Sequence, residues 1–476
     1  MRNVRKLLLT LTVFTTTWAH AFVELEARQP LEVEGGILSP YWAQEYVGAD
    51  LVKEDLRKIP GLQAVPFSIL DNGFEKQYIN LTREIPFDIE ADRGRKLTAN
   101  HGTNVANIIN GPGMISMSEL VDYVQLRKVY PGAFYINAIN EIRILPTPPQ
   151  VISNSMGWPD GRIKEMAKEM DAKGIIWVFA AGNDHPEAID DFERTSAVIS
   201  VGSYSPRGFQ TVYSQESSDL DILAPADDYQ ASINGRGEHG LFGATSGATP
   251  MVSGTIANLK ALLPTMNRQQ AELLLKRTAL RSLHQLYSKT NKTGLLNSYK
   301  AVQVAIRIRL ACHSDAECVR KEIDNKLNYR FAEVAMSPLT LQVCTDSSLK
   351  LAKDDMQTLR KNFFLNPQDT RFAKLLSCAY RNEGYSINSD YYDTQSLIPT
   401  HPEMVQMKIQ KQAVQAVAHE YTNSSALRDL ELLDESFTKA LQQALQTQTG
   451  MPRYNVEQYL ERLKQVQPIK LGRQAK

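Results

Sequence analysis

Between residues 65 and 309, short apolar runs alternate with stretches of helical period, and this alternation narrows the fold more than any other feature of the chain. Val65 to Leu70, Tyr123 to Tyr130, Val151 to Ser153, Ile175 to Ala180, Ala197 to Val201 and Leu220 to Leu223 read as strands. Residues 103–110, 134–142, 161–172, 246–262, 267–279 and 298–309 read as helices. Strands alternating with helices predict an α/β fold, a mainly parallel sheet with helices on both faces. Sites in such sheets form beyond the carboxyl ends of the strands. Three exits carry small or polar residues: Asp71-Asn72-Gly73, Ser155-Met156-Gly157 and Ala181-Gly182-Asn183.

The flanks differ from this body. Residues 1–21 have a basic head, a short apolar run and Ala19-His20-Ala21, the pattern of a secretory signal peptide cut after Ala21. The expectation is a secreted or periplasmic protein with no membrane span in the mature chain. Residues 22–60 form an N-terminal segment of unclear role, and 61–311 hold the alternating body. From 312 glycine thins out and helical period takes over, so 312–476 reads as a smaller all-α C-terminal domain, with helices over 402–420, 426–447 and 456–466. All four cysteines lie there, and an even count in an exported chain predicts disulfides. Three connectivities exist; the one with the shortest loops pairs Cys312 with Cys318 and Cys344 with Cys378. The 53 basic residues match 53 acidic ones, so no global field favours nucleic acid or a membrane surface.

The stretch Gly243 to Gly254 is built of small residues and runs into an apolar helical pattern. A serine there, Ser246, stands at a helix N-terminus whose backbone N–H groups face outward. As a nucleophile it needs a base within reach. His101, opening His101-Gly102-Thr103-Asn104-Val105-Ala106 just before a helix, is the candidate, and His185 its closest rival. Asp71, at the end of a buried strand, would fix the tautomer of a histidine base. Asn183 could donate its amide to an oxyanion beside the Ser246 N–H. Each residue also has an ordinary structural role: helix cap for Ser246, turn residue for Asp71 and Asn183.

Taken together, the motifs resemble the subtilisin-like serine proteases, or subtilases. The carriers are Phe67 to Gly73 with Asp-x-Gly, His101 to Ala106, Ala180-Ala181-Gly182-Asn183, and residues 244–254, which match that family's serine motif except at the first position. Leu223-Ala224-Pro225 and Gly294 to Asn297 are weaker echoes. The chain order Asp, His, Ser is also the order of the triad in that family. The resemblance, over about residues 65–309, implies a subtilisin-like sheet and a serine endopeptidase. Asp71, His101 and Ser246 would be its triad and Asn183 its oxyanion donor. Ser155, Met156, Gly157, Ala181 and Gly182 would line the site of a polypeptide substrate. It implies no required cofactor and no catalytic metal; structural calcium is frequent in the family, but no ligands are assignable here. The alternative is a subtilase-like binding or scaffold protein without turnover. The C-terminal helical domain is a candidate for holding a protein partner. Ala244 and Gly247 depart from the family's glycine and methionine, and Ala244 would strain the loop if that position needs a positive φ.

Overall fold

The computed structural model describes residues 29–33, 35–83, 85, 99–129, 133–157, 161–184, 189, 196–211, 213–282, 293–313, 315–326 and 329–398. The expected signal peptide, the rival His185 and the three helices expected beyond residue 401 lie outside them.

The chain opens with strands β1 (Leu31–Val33) and β2 (Gly36–Leu38), then helices α1 (Trp42–Val47) and α2 (Ala49–Leu56). The body follows as β3 (Val65–Asp71), α3 (Ala99–Asn110), β4 (Val121–Lys128), α4 (Ala133–Ile142), β5 (Val151–Asn154), α5 (Gly161–Ala172), β6 (Ile176–Ala180), β7 (Ile199–Tyr204) and β8 (Ile222–Pro225). Strands β9 (Gln230–Ile233) and β10 (His239–Phe242) form an antiparallel pair. Helices α6 (Ala244–Leu262), α7 (Arg268–Thr278) and α8 (Ser298–Cys312) complete the alternating body. Beyond it lie α9 (Ala316–Lys326), α10 (Pro338–Gln342), α11 (Lys353–Leu365), α12 (Thr370–Glu383) and α13 (Ser386–Leu397).

Six strands form one parallel sheet in the order β4-β3-β5-β6-β7-β8. They are nearly continuous apolar runs, as strands covered on both faces must be. One face packs on α4 and α5 through Leu70, Ile139, Ile152, Ile163, Met170 and Trp177. The other packs on α3, α6 and α8 through Ile69, Val105, Ile109, Met251, Ile256 and Val302. The chain leaves β3 toward β4 on one side and returns to β5 on the other. The gap between the carboxyl ends of β3 and β5 is therefore the switch point where such sheets place their sites.

The second core does not stop at the body. Trp42 and Tyr46 of α1 join it, and so do Phe363 of α11 and Tyr391 and Tyr392 of α13. Tyr46 stacks on Tyr391 with ring centroids 3.9 Å apart. Arg360 of α11 is buried and grips Asp50 of α2 with both terminal nitrogens, at 2.7 and 2.9 Å. Its Nη2 also donates to the Glu45 carbonyl at 2.8 Å. The segment of unclear role is thus clamped by helices more than three hundred residues later. Disulfides join Cys312 to Cys318 and Cys344 to Cys378, the shortest-loop pairing. Among the described residues no helix is long and apolar enough to cross a membrane.

Candidate active site

Asp71 ends β3 at the switch point and is fully buried. Its Oδ1 accepts the Asn72 backbone N–H at 2.7 Å and meets Nδ1 of His101 at 2.6 Å. A carboxylate has no proton to give, so Nδ1 is the donor, and in the neutral ring Nε2 is left as the acceptor. His101 lies within the first turn of α3, not before the helix as its sequence pattern suggested. The turn after Asp71 rides directly on that first turn of helix. A Cβ at Gly102 would lie 2.4 Å from the Gly73 carbonyl oxygen, so only glycine admits the contact. Thr103 Oγ1 then accepts the Glu75 N–H at 2.9 Å. Burial disfavours the His101 cation, but the charge and hydrogen bond of Asp71 outweigh it and raise the pKa above 6.5. The Phe242 ring of β10 meets the imidazole edge-on at 5.1 Å.

Ser246 sits in the first turn of α6, a helix buried almost all round. Small residues allow this. A Cβ on Gly243 would come within 2.5 Å of the Asp227 backbone, and one on Gly254 within 2.5 Å of Met117 Cβ. Hydroxyls inside the helix bond back one turn, Thr249 to the Thr245 carbonyl at 2.8 Å and Ser253 to the Thr249 carbonyl at 2.9 Å. Pro250 has no N–H, which deprives the Ser246 carbonyl of its helical donor. Ser155 Oγ supplies one from the end of β5 at 3.0 Å. The return contact runs from Ser246 Oγ to the Ser155 carbonyl, also at 3.0 Å. Ser246 Oγ therefore donates to Ser155, and no hydrogen bond joins it to His101.

Asn183 follows Gly182, whose φ is +95° and whose Cβ position is filled by Gln215 Oε1 at 1.7 Å. The Thr245 backbone N–H, which can only donate, meets Asn183 Oδ1 at 3.1 Å, and the Thr245 hydroxyl adds a bond at 2.8 Å. That contact fixes which end of the amide is oxygen and ties Asn183 to the residue before Ser246. Ala181 is anchored through its N–H to the Val201 carbonyl at 2.9 Å. At the exit of β5, Ser155 is buried and Gly157 exposed, and Met156 packs partly on the α4–α5 core. Tyr135 of α4 donates to Asn154 Oδ1 and lies 2.8 Å from the Met156 carbonyl. No sequence signal singled out Tyr135, Phe242 or Gln215, because their roles exist only through contacts across elements.

The two departures have structural counterparts. Ala244 does adopt a positive φ, +59°. At Gly247 a Cβ would lie 2.2 Å from Gln230 Oε1, and Gln230 Nε2 donates to the Gly247 carbonyl at 3.3 Å. A buried glutamine occupies the room a larger residue would need. Among the described residues, no group of three or more His, Cys, Asp and Glu side chains could hold a metal ion.

The family model Peptidase_S8, described as the subtilase family, matches residues 63–302. The chain belongs to the subtilase family. That family is one of serine peptidases. Subtilisin amylosacchariticus of Bacillus subtilis subsp. amylosacchariticus is 26% identical over 254 residues, which are 50% of this chain and 66% of that protein. The chain thus spans slightly under two thirds of that relative's length. Subtilisin of Bacillus pumilus is 26% identical over 230 residues, 45% of this chain and 83% of that protein. Among solved structures, the A-subunit of the AB5 toxin from E. coli is 19% identical, with a TM-score of 0.44 over 56% of this chain and 99% of that one. The fold of this subtilase rests on its own strand order rather than on that likeness.

Proposed function

We propose that this subtilase is an exported serine endopeptidase working through an acyl-enzyme. The observation that carries the reading is the 2.6 Å bond from His101 Nδ1 to buried Asp71, with Nε2 left as the acceptor, in a chain that presents Ser246 at the head of α6. Ser246 Oγ attacks the scissile carbonyl once it turns from the Ser155 carbonyl to His101 Nε2, a rotation about one side-chain bond. His101 takes the proton and returns it to the leaving amine, so peptide nitrogen departs as a neutral amine and the acyl group stays on Ser246. Water then repeats the sequence and frees the acid. The Ser246 N–H and the Asn183 amide receive the oxyanion. The peptide binds extended along Ser155-Met156-Gly157 and against Ala181 and Gly182, pairing as an added strand. The basic head and apolar run of residues 1–21 support export.

One observation favours a second reading, a subtilase without turnover: Ser246 Oγ donates to Ser155 and not to His101. One experiment separates the two. The full chain and its Ser246→Ala variant are exposed to a fluorophosphonate probe and to an unbiased peptide library. Labelling and cleavage by the parent, both absent in the variant, are expected. A folded parent that neither labels nor cleaves, beside an active subtilisin control, removes the protease reading.

A further inference from the structure

At the exit of β5 two successive carbonyls serve different partners. That of Ser155 receives Ser246 Oγ at 3.0 Å. That of Met156 meets Asn154 and α4 instead. Asn154 Nδ2 donates to it, and the Tyr135 hydroxyl lies 2.8 Å away. The same hydroxyl is 2.8 Å from Asn154 Oδ1. Tyr135 and Asn154 are buried, and the Tyr135 ring belongs to the core of Leu70, Ile139 and Ile152.

The direction of these bonds is fixed. A backbone carbonyl only accepts, so the Asn154 amide faces Met156 with its nitrogen and Tyr135 with its oxygen. Both oxygens beside the phenol are then acceptors, and the phenol proton lies between them. Tyr135 therefore holds Asn154 in one orientation, and together they hold the Met156 carbonyl. Successive carbonyls of an extended run point to opposite sides. With the Met156 carbonyl held toward α4, the backbone groups of Ser155 and of exposed Gly157 face the side of Ser246, where an added strand pairs. We infer, on the protease reading above, that Tyr135, acting with Asn154, is a positioning residue that keeps this edge in register for an extended peptide.

The test gives the full chain two substrates, a tetrapeptide amide drawn from the library cleavages and an ester of its last residue alone. The tetrapeptide reaches along Met156 to Gly157, and the ester does not. Tyr135→Phe keeps the ring and removes the hydroxyl. It is expected to raise KM for the tetrapeptide about tenfold, the scale of one hydrogen bond, with kcat near that of the parent. KM for the ester and fluorophosphonate labelling of Ser246 stay near those of the parent, since neither uses that edge. Asn154→Ala is a second variant with the same pattern. Combining the two raises KM no further than Asn154→Ala alone, because both act on one carbonyl. An unchanged tetrapeptide KM in Tyr135→Phe overturns the inference. So do equal losses on tetrapeptide, ester and probe, which mark a general packing role. A parent that fails to label removes the protease reading and this inference with it, whereas a labelling parent with either of those variant results removes this inference alone.

Discussion

Asp71→Asn is expected to lower the turnover of a cleaved peptide by about 10⁴-fold while the protein still folds. The asparagine fits the same space, and its oxygen can still accept the Asn72 N–H that Asp71 receives at 2.7 Å. Its NH₂ end, however, turns a donor on His101 Nδ1, where the carboxylate now accepts at 2.6 Å. The ring then keeps its proton on Nε2 and has no lone pair for Ser246. The pH profile provides an independent readout. On the protease reading His101 would act as a base only when neutral, and Asp71 outweighs burial so that its pKa is raised from the usual 6.5. Parent activity therefore falls as pH drops through that raised value. Without the charge of residue 71, burial prevails and the residual activity of the variant persists to lower pH. Stability moves the other way. A raised histidine pKa contributes stability below the unfolded value and loses it as pH rises through the folded value. The variant is therefore destabilised more at pH 5 than at pH 9. Turnover within tenfold of the parent would refute the assignment of Asp71.

Arg360→Met is expected to destabilise the protein by about 3–5 kcal/mol, the usual result of stripping one partner from a buried ion pair. Arg360 is 4% exposed and grips Asp50 through both terminal nitrogens. Burial opposes ionisation of Asp50, but Arg360 overcomes it and holds the carboxyl below its ordinary range. Glu45 is the nearby counterpart; burial raises it even though Arg360 lowers it. Removing the guanidinium leaves both carboxyls buried without their cation. Urea unfolding of the parent and variant at pH 7 measures the loss. A second change, Asp50→Leu, is expected to recover most of it, because an apolar pair of similar volume often equals a buried ion pair. The Asp50 contribution is present above its unfolded pKa and fades as pH falls through the depressed folded value. An Arg360→Met midpoint equal to that of the parent would exclude the clamp.

Much of this arrangement was legible in the sequence. Runs such as Val65 to Leu70 and Ile175 to Ala180 read as buried strands because a sheet covered on both faces leaves few polar positions. Asp71, His101, Asn183 and Ser246 stood out because each sits among glycines and small residues that admit close backbone approach. That the cysteines pair was legible from their even count, but which of three connectivities forms was not, and the structure shows the one with the shortest loops. Other features were not. Helices α1 and α2 span six and eight residues and are separated by Gly48 alone, at φ +72°, so each is too short to repeat its period over a long window. Tyr46 of α1 packs on Tyr391 and Tyr392, beyond any local window. Strands β9 and β10 have four residues each, with Gln230 and Ser232 buried by side-chain bonding rather than by apolar character. The Ser155 to Ser246 exchange also escapes the sequence, since it arises from a proline's missing N–H four residues downstream.

The grip of Arg360 on Asp50 spans 310 positions, and it sets a timetable for the molecule. A ribosome releases Trp42 and Tyr46 long before the rings and guanidinium that enclose them. Asp71, His101, Asn183 and Ser246 are all synthesised while that wall of the core is still open. Contacts so distant along the chain close slowly and last. Helices α11 and α13 are thus expected to delay completion of that core until residue 392 has emerged. Ribosome-stalled chains ending before residue 353 are accordingly expected to leave a fluorophosphonate probe untouched, and labelling of such chains would show that no delay exists.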